Sequence, residues 1–206
     1  MKVELQQVAK RFRLEWVLRD VNLAVEAPSR YAVTGPNGAG KSTLLRMLAG
    51  HLTPSRGKVH FSKGQQNLEI QQVYRELSYA APYIEVIEEF TLLESINFHR
   101  QFKPFYNDLS AKDLISLLGF QRAAHKPVRH FSSGMKQRLK LALAICADSP
   151  LLLLDEPTTN LDNQGAAWYR ELIETFGRQR LIIVASNVET DYSYCGTEID
   201  IRQFKN

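Results

Sequence analysis

Three short runs of the chain are largely apolar at neighbouring positions and do not alternate between apolar and polar residues: 31–34, 151–154 and 181–184. Continuous apolar runs of this length are typical of strands that helices cover on both faces. We therefore predict a central, mostly parallel sheet that contains these three strands.

A different pattern marks the first third of the chain. Residues 3–8 and 16–25 are rich in β-branched and aromatic side chains and alternate partly in polarity, and residues 59–61 follow a turn at Gly57. These features predict the strands of a small antiparallel sheet. Between about residues 88 and 147 the apolar positions form helical clusters instead. We predict that this segment is a helical lobe inserted into a single domain of residues 1–206.

Composition further restricts the location, partners and cysteine chemistry expected of the protein. The chain has 206 residues, of which 44% are hydrophobic, and a formal net charge of +4. No stretch reaches the roughly 18 consecutive apolar residues of a membrane span, and the first residues lack the apolar core of a secretory signal, so we expect a cytoplasmic protein. Lys and Arg are scattered, so no direct binding of nucleic acid is expected. Cys146 and Cys195 form no Cys-x-x-Cys pair and are expected to be reduced.

The most informative motif is a glycine-rich segment between a predicted strand and a predicted helix. Its sequence, GPNGAGKST over residues 35–43, fits the pattern G-x-x-x-x-G-K-[ST] of a phosphate-binding loop. Glycines let backbone N–H groups approach phosphate oxygens, and the helix N-terminus adds partial positive charge. Lys41 would reach the β- and γ-phosphates, and the Ser42 hydroxyl would ligate Mg²⁺. The residues expected to bind a nucleoside triphosphate are Gly35, Pro36, Asn37, Gly38, Ala39, Gly40, Lys41, Ser42 and Thr43.

Two acidic residues, Asp155 and Glu156, directly follow the apolar run 151–154. Ligands of parallel sheets bind at the carboxyl ends of the strands. Asp155 is placed to hold Mg²⁺, directly or through water, and Glu156 to orient and deprotonate the attacking water. Together with the glycine-rich loop, the acids predict an α/β fold with a P-loop NTPase core, which has a mostly parallel sheet, an antiparallel β subdomain and an inserted α-helical subdomain.

These motifs and two further blocks resemble the ATP-binding subunits of ABC transporters, in particular the short subunits of export-type systems. The block FSSGMKQRL at residues 131–139 is similar to the family's Leu-Ser-Gly-Gly-Gln block, and residues 160–162 are similar to its D-loop. We expect Ser132 to be the N-cap of a helix. The resemblance implies that Ser132, Ser133 and Gly134 contact ATP bound by the opposing subunit of a head-to-tail dimer, which is a homodimer or contains a related ATP-binding subunit.

The resemblance also implies that an aromatic ring stacks on adenine. Phe12 holds the matching place in the sequence, and Trp16 is the competing candidate. Either ring could instead pack within the predicted sheet, because aromatic residues are common on strands.

Besides Ser133 and Met135 in the block at residues 131–139, which replace a Gly and a Gln, two positions that bear on turnover depart from the family pattern. The family places a Gln after the strand that contains Tyr79, where this chain reads Ala80-Ala81-Pro82, and a His after the last core strand, where it has Asn187. Asn187 can hydrogen-bond a phosphate oxygen but can neither carry positive charge nor shuttle a proton. The candidate catalytic residues are Lys41, Glu156 and Asn187. The departures leave two alternatives, an ATPase that turns over slowly and a nucleotide-gated subunit that hydrolyses little by itself.

The function implied by the resemblance is ATP hydrolysis that drives a separate transmembrane permease subunit, at the inner face of the cell membrane. A non-transport member of the superfamily is one alternative, although such proteins usually carry two cassettes, coiled-coil arms or added domains. A P-loop kinase or transferase is another, and it would need a substrate lid in place of the block at residues 131–139. A run of acids either pairs with a basic helix of the permease or forms a solvated face: Glu85, Glu88, Glu89 and Glu94.

Overall fold

A computed structural model describes residues 1–205, which form two compact units. Unit 1 contains residues 1–79, 150–156 and the described residues from 179 onwards, and unit 2 contains residues 80–149 and 157–178. The strands and helices in chain order are β1 (Lys2–Phe12), β2 (Glu15–Glu26), β3 (Ser29–Thr34), α1 (Lys41–Leu48), β4 (Arg56–Lys63), β5 (Gln66–Leu68), α2 (Ile70–Val73), β6 (Leu77–Ala80), α3 (Leu92–Phe102), α4 (Ala111–Leu118), α5 (Ser133–Ile145), β7 (Leu151–Asp155), α6 (Asn163–Phe176), β8 (Leu181–Ala185), α7 (Glu189–Tyr192) and β9 (Thr197–Asp200). Short 3₁₀ turns cover Tyr106–Asp108, Gln121–Ala123, Val128–His130 and Ile201–Phe204.

The parallel sheet has the strand order β6-β7-β8-β3-β9, and the prediction of such a sheet is confirmed. The pairs β7/β8, β8/β3 and β3/β9 are parallel. Asp155 at the end of β7 is opposite Ala185 of β8, which is in turn opposite Val33 of β3. This register places the last residue of β7 and the start of the glycine-rich loop at the same edge of the sheet.

The antiparallel sheet that the alternating pattern predicted is present, and its strand order is β2-β1-β4-β5. Val3 of β1 is opposite Val25 of β2 on one side and Phe61 of β4 on the other, and all three side chains are buried. The same hydrophobic core contains Leu44 and Leu48 of α1. The helix therefore buries its apolar face in unit 1, because these residues recur at helical spacing.

Unit 2 carries the helices α3, α4, α5 and α6, of which the first three lie within residues 88–147, where the helical pattern was predicted. The N-termini of α3 and α4 have capping boxes, in which Thr91 pairs with Glu94 and Ser110 with Asp113. The inclusion of residues 1–206 in a single domain remains a prediction. Within residues 1–205, no helix combines the length and apolar character that a membrane crossing requires.

Candidate nucleotide-binding site

The glycine-rich loop connects the end of β3 at Thr34 to the start of α1 at Lys41. Gly35 and Gly40 have φ angles of 129° and 105°, in the region that L side chains rarely adopt. A Cβ atom at Gly35 would lie 2.7 Å from the Ile201 side chain, and one at Gly40 would lie 2.9 Å from the Val17 side chain. Glycine is therefore required at both positions by backbone conformation and by space.

The loop offers unpaired backbone donors at the N-terminus of α1. Within the described chain, the N–H groups of Gly38 and Gly40 and of the first three residues of α1 donate no hydrogen bond, and no side chain caps the helix. Helix N-termini also carry partial positive charge. This arrangement suits an anion with several oxygens, such as a phosphate chain.

The Lys41 side chain folds back over the loop and is only 5% exposed. Its ammonium donates hydrogen bonds to the carbonyl oxygens of Gly35, at 2.8 Å, and Pro36, at 3.3 Å. The two hydrogen bonds thus hold the Lys41 ammonium against the backbone of the loop.

Ser42 is a close neighbour of the Asp155 carboxylate, and its hydroxyl interacts with that group. Asp155 is buried, and its Oδ2 atom has no hydrogen-bond partner among the described residues. Burial raises the pKa of Asp155, and the neighbouring charge of Glu156 adds to this, whereas the Ser42 hydroxyl and the Lys41 charge act in the opposite direction.

A cation beside Asp155 would offset the cost of burying its charge. A hydroxyl and a carboxylate are hard oxygen ligands, and Mg²⁺ is usually bound by one or two such groups together with substrate phosphates. No cluster of three or more His, Cys, Asp or Glu side chains that could hold a metal occurs in residues 1–205. Ser42 and Asp155 therefore fit an Mg²⁺ ion that arrives with a nucleotide.

Glu156 follows β7 in a left-handed conformation, with a φ of 45°. Its N–H group donates a 2.8 Å hydrogen bond to the carbonyl oxygen of Ala185 on β8, which fixes the backbone. Its side chain lines a cleft of about 360 Å³ in unit 1. The residues that line the cleft are Phe12, Val17, Asn37, Gly38, Gly40, Lys41, Ser42, Thr43 and Glu156.

The structure separates the two candidates for the adenine-stacking ring. Phe12 lines the cleft and is 44% exposed, whereas Trp16 does not line it. The Trp16 ring contacts the guanidinium groups of Arg11, Arg19 and Arg56, at 5.4, 5.8 and 5.0 Å from its centroid. The geometry therefore favours Phe12, although stacking on adenine stays a prediction.

Asn187 is exposed and is not among the residues that line the cleft. It follows the buried Ser186, whose hydroxyl donates a 2.6 Å hydrogen bond to the carboxylate of Asp191 and accepts one from the Val188 N–H at 3.0 Å. These bonds fix the backbone on both sides of Asn187. The role of Asn187 in catalysis stays a prediction.

In unit 2, the predicted N-cap of the block at residues 131–139 is confirmed. The Ser132 hydroxyl accepts a 3.2 Å hydrogen bond from the Met135 N–H, and α5 begins at Ser133. Both serines are exposed, and no acidic residue occupies the first turn. The positive end of α5 is therefore available to an anion, and contact of Ser132, Ser133 and Gly134 with a nucleotide stays a prediction.

Comparison with known proteins identifies the family. A family model described as ABC transporter matches residues 18–159. The chain belongs to the ABC transporter family. It is 32% identical over 190 residues to the cytochrome c biogenesis ATP-binding export protein CcmA of Rhizobium meliloti (strain 1021), covering 90% of each chain. It is 30% identical over 190 residues to the lantibiotic transport ATP-binding protein SrtF of Streptococcus pyogenes, covering 90% of this chain and 79% of SrtF.

Solved structures agree on the fold of this ABC cassette. An ABC transporter ATP-binding protein from Pyrococcus furiosus superposes with a TM-score of 0.82 at 19% identity, covering 100% of both chains. The dimeric bacterial cassette MJ0796 superposes with a TM-score of 0.80 at 21% identity, covering 97% of this chain and 94% of that one. The P-loop NTPase fold of the family is thereby confirmed.

Two of the four acids that follow β6 in the ABC cassette are engaged within unit 2. Glu88 forms an ion pair with Lys136 of α5, and Glu94 completes the capping box with Thr91. Glu85 and Glu89 are exposed. Local contacts therefore engage Glu88 and Glu94, and the choice between pairing with a permease helix and a solvated face stays a prediction.

Sequence reasoning missed three residues. Val17 lines the cleft, Gln137 donates a buried 2.7 Å hydrogen bond to the Pro157 carbonyl, and Lys10 lies over the Phe12 ring. Of these, only Lys10 contacts a predicted site residue close to it in the sequence, Phe12. The other two contacts join segments that are distant along the chain.

Proposed function

We propose that this ABC cassette binds ATP with Mg²⁺ in the cleft of unit 1 and hydrolyses it to drive a separate transmembrane permease subunit. One observation carries the proposal: Lys41, Ser42 and Glu156 line a single cleft, and the buried Asp155 is a close neighbour of Ser42. The relatives named above are ATP-binding proteins of transport or export systems, which supports the link to transport.

Each side chain has a role that follows from its chemistry. Lys41 exchanges the carbonyl oxygens of Gly35 and Pro36 for oxygens of the β- and γ-phosphates, and each new hydrogen bond joins opposite charges. Ser42 and Asp155 hold Mg²⁺, which, when bound, neutralises charge on the phosphates. Glu156 accepts a proton from the attacking water. Phe12 stacks on the base, and Asn187 donates a hydrogen bond to a phosphate oxygen.

The second half of the site is supplied by another subunit. Ser132, Ser133 and Gly134 open α5 in unit 2, where free N–H groups and the helix dipole suit a phosphate. We infer a head-to-tail dimer, with a second copy or a related ATP-binding subunit, in which this helix end contacts the nucleotide of the opposing cassette. The permease holds the dimer at the inner face of the cell membrane.

A nucleotide-gated subunit that hydrolyses little is the second candidate function. It is favoured by the position of Asn187, which is exposed and outside the lining of the cleft, and by Ala81-Pro82 where the family has a Gln. Both candidates bind ATP and form the same dimer. They differ only in turnover, because a positioned acid or base typically contributes about 10²–10⁴-fold to a rate.

Sedimentation of a hydrolysis-blocked variant tests the proposal. Glu156→Gln should keep ATP bound, so it should sediment as a dimer in MgATP and as a monomer in MgADP. Glu189→Gln, which removes the charge of an exposed residue on α7, serves as the matched control and should not accumulate the dimer while ATP turns over. A Glu156→Gln protein that binds MgATP and stays monomeric would contradict the head-to-tail arrangement.

A further inference from the structure

Lys10 and Phe12 lie two residues apart on β1, and the lysine covers the aromatic ring. The Lys10 ammonium is 5.1 Å from the centroid of the Phe12 ring. The same ring lines the nucleotide cleft and is 44% exposed. A cation at this distance is attracted to the negative face of an aromatic ring.

The ammonium of Lys10 is also held from a second direction. It donates a 2.8 Å hydrogen bond to the carbonyl oxygen of Thr53, in the connection between α1 and β4. No carboxylate forms an ion pair with Lys10 in residues 1–205. Its charge is therefore directed at a backbone carbonyl and at the ring.

The same connection is tied to β1 at the two neighbours of Lys10. The Ser55 N–H donates a 2.8 Å hydrogen bond to the Ala9 carbonyl, and the Arg11 N–H donates one of 3.1 Å to the Ser55 hydroxyl. Three successive residues of β1 are thus bound to the segment that follows the phosphate-loop helix. This bonding fixes the Lys10 ammonium and the backbone of β1 next to Phe12 against the same segment.

We propose that Lys10 is a positioning residue, which holds the Phe12 ring so that its other face is presented to the base of the bound nucleotide. The proposal rests on the proposed function of the cleft. A phenylalanine ring that is nearly half exposed would otherwise change rotamer, and a bound base would have to order it at a cost in affinity. The cation also draws electron density towards itself, which reduces the repulsion between the free face and a stacked purine.

Calorimetric titration with two ligands tests the proposal. MgATP carries the base and the phosphates, whereas Mg-tripolyphosphate carries the phosphates alone. Lys10→Met should weaken MgATP binding by about 2- to 5-fold, the range expected for a cation–π contact at an exposed site, and should leave Mg-tripolyphosphate binding unchanged. Lys10→Arg, which keeps the charge, should restore the affinity for MgATP.

Two further variants make each outcome decisive. Lys58→Met removes the same charge from an exposed site on β4 and should leave both affinities unchanged. Phe12→Ala should weaken MgATP binding by roughly 5-fold or more without affecting Mg-tripolyphosphate. If Phe12→Ala changes the affinity for neither ligand, Phe12 does not contact the base, and the proposed role of Lys10 is then wrong as well. If Phe12→Ala weakens MgATP binding but Lys10→Met does not, the role assigned to Lys10 is overturned. The same holds if Lys10→Met weakens the binding of both ligands equally. In either case the proposed binding of nucleotide in the cleft is unaffected.

Discussion

The ammonium of Lys41 donates a 2.8 Å hydrogen bond to the carbonyl oxygen of Gly35, the first residue after β3. The Lys41 ammonium therefore lies against the backbone of the loop that is expected to surround the phosphates. Binding of a phosphate chain would replace bonds from the ammonium to neutral carbonyl oxygens with bonds to anionic oxygens, which join opposite charges.

Removal of the Lys41 charge should reduce nucleotide affinity. We expect Lys41→Ala to weaken MgATP binding by roughly 10- to 100-fold, because hydrogen bonds to charged groups contribute about 1.5–3 kcal/mol. Isothermal titration calorimetry measures the change, and thermal unfolding without nucleotide checks that the variant is folded. Lys58→Ala removes a lysine charge from an exposed site on β4 and should bind as the unmodified protein does. Equal affinity of all three proteins would refute nucleotide binding by this loop.

Glu156 should be required for turnover but not for binding. Glu156→Gln keeps the size of the side chain and removes its ability to accept a proton, so the ATPase rate should fall by about 10²–10⁴-fold. The affinity for MgATP should change little, since glutamine retains the polar contacts. Release of phosphate under single-turnover conditions gives the rate. A variant that hydrolyses ATP as fast as the unmodified protein would exclude Glu156 as the general base.

Stability should fall in mild acid because of His99. Burial lowers the pKa of His99 to about 4, with the charge of Lys103 acting in the same direction, and the ring stacks on Phe105 at 5.6 Å between centroids. Between pH 6.5 and about 4 the unfolded chain binds a proton at this site and the folded chain does not, so the free energy of unfolding decreases as the pH falls. The loss should be roughly 1–3 kcal/mol.

Urea unfolding at several pH values in that range measures this loss. His99→Gln should flatten the dependence of stability on pH, whereas His60→Gln, at an exposed position on β4, should preserve it. Identical pH profiles for the His99→Gln variant and the unmodified protein would show that another group is responsible.

The cap of α5 should contribute to stability independently of any nucleotide. Ser132→Ala leaves the Met135 N–H without its partner and should lower the free energy of unfolding by about 1 kcal/mol. Ser133→Ala alters a neighbouring exposed serine that caps nothing and should stay within about 0.5 kcal/mol of the unmodified protein. Chemical denaturation without nucleotide compares the two variants, and equal losses would contradict the capping role of Ser132.

Some predictions succeeded because they rested on local patterns. The runs 31–34, 151–154 and 181–184 became the paired strands β3, β7 and β8, since a strand buried on both faces must be apolar at successive positions. Strands β6 and β9 complete the sheet with four residues each. Their positions in the sheet depend on their neighbours and not on their own composition, so the sequence pattern does not reveal the strand order.

The sequence pattern alone does not determine whether Phe12 or Trp16 lines the cleft. Both rings belong to the antiparallel sheet, but the register of β1 against β2 shifts next to Lys10 and Arg11. A shift of one residue moves side chains to the opposite face of a sheet. Local alternation therefore could not tell which ring lines the cleft, and the paired strands placed Phe12 there and Trp16 among arginines.

By itself, the sequence determined the glycine-rich loop, the helix that follows it and the two acids at the end of a buried strand, because backbone conformation and helix termini depend on residues close together along the chain. The tertiary structure alone decided which other distant groups meet: Lys10 with Thr53, and Asp155 opposite Ala185. Such contacts follow from strand register and from the packing of segments that are remote in sequence, which no local pattern encodes.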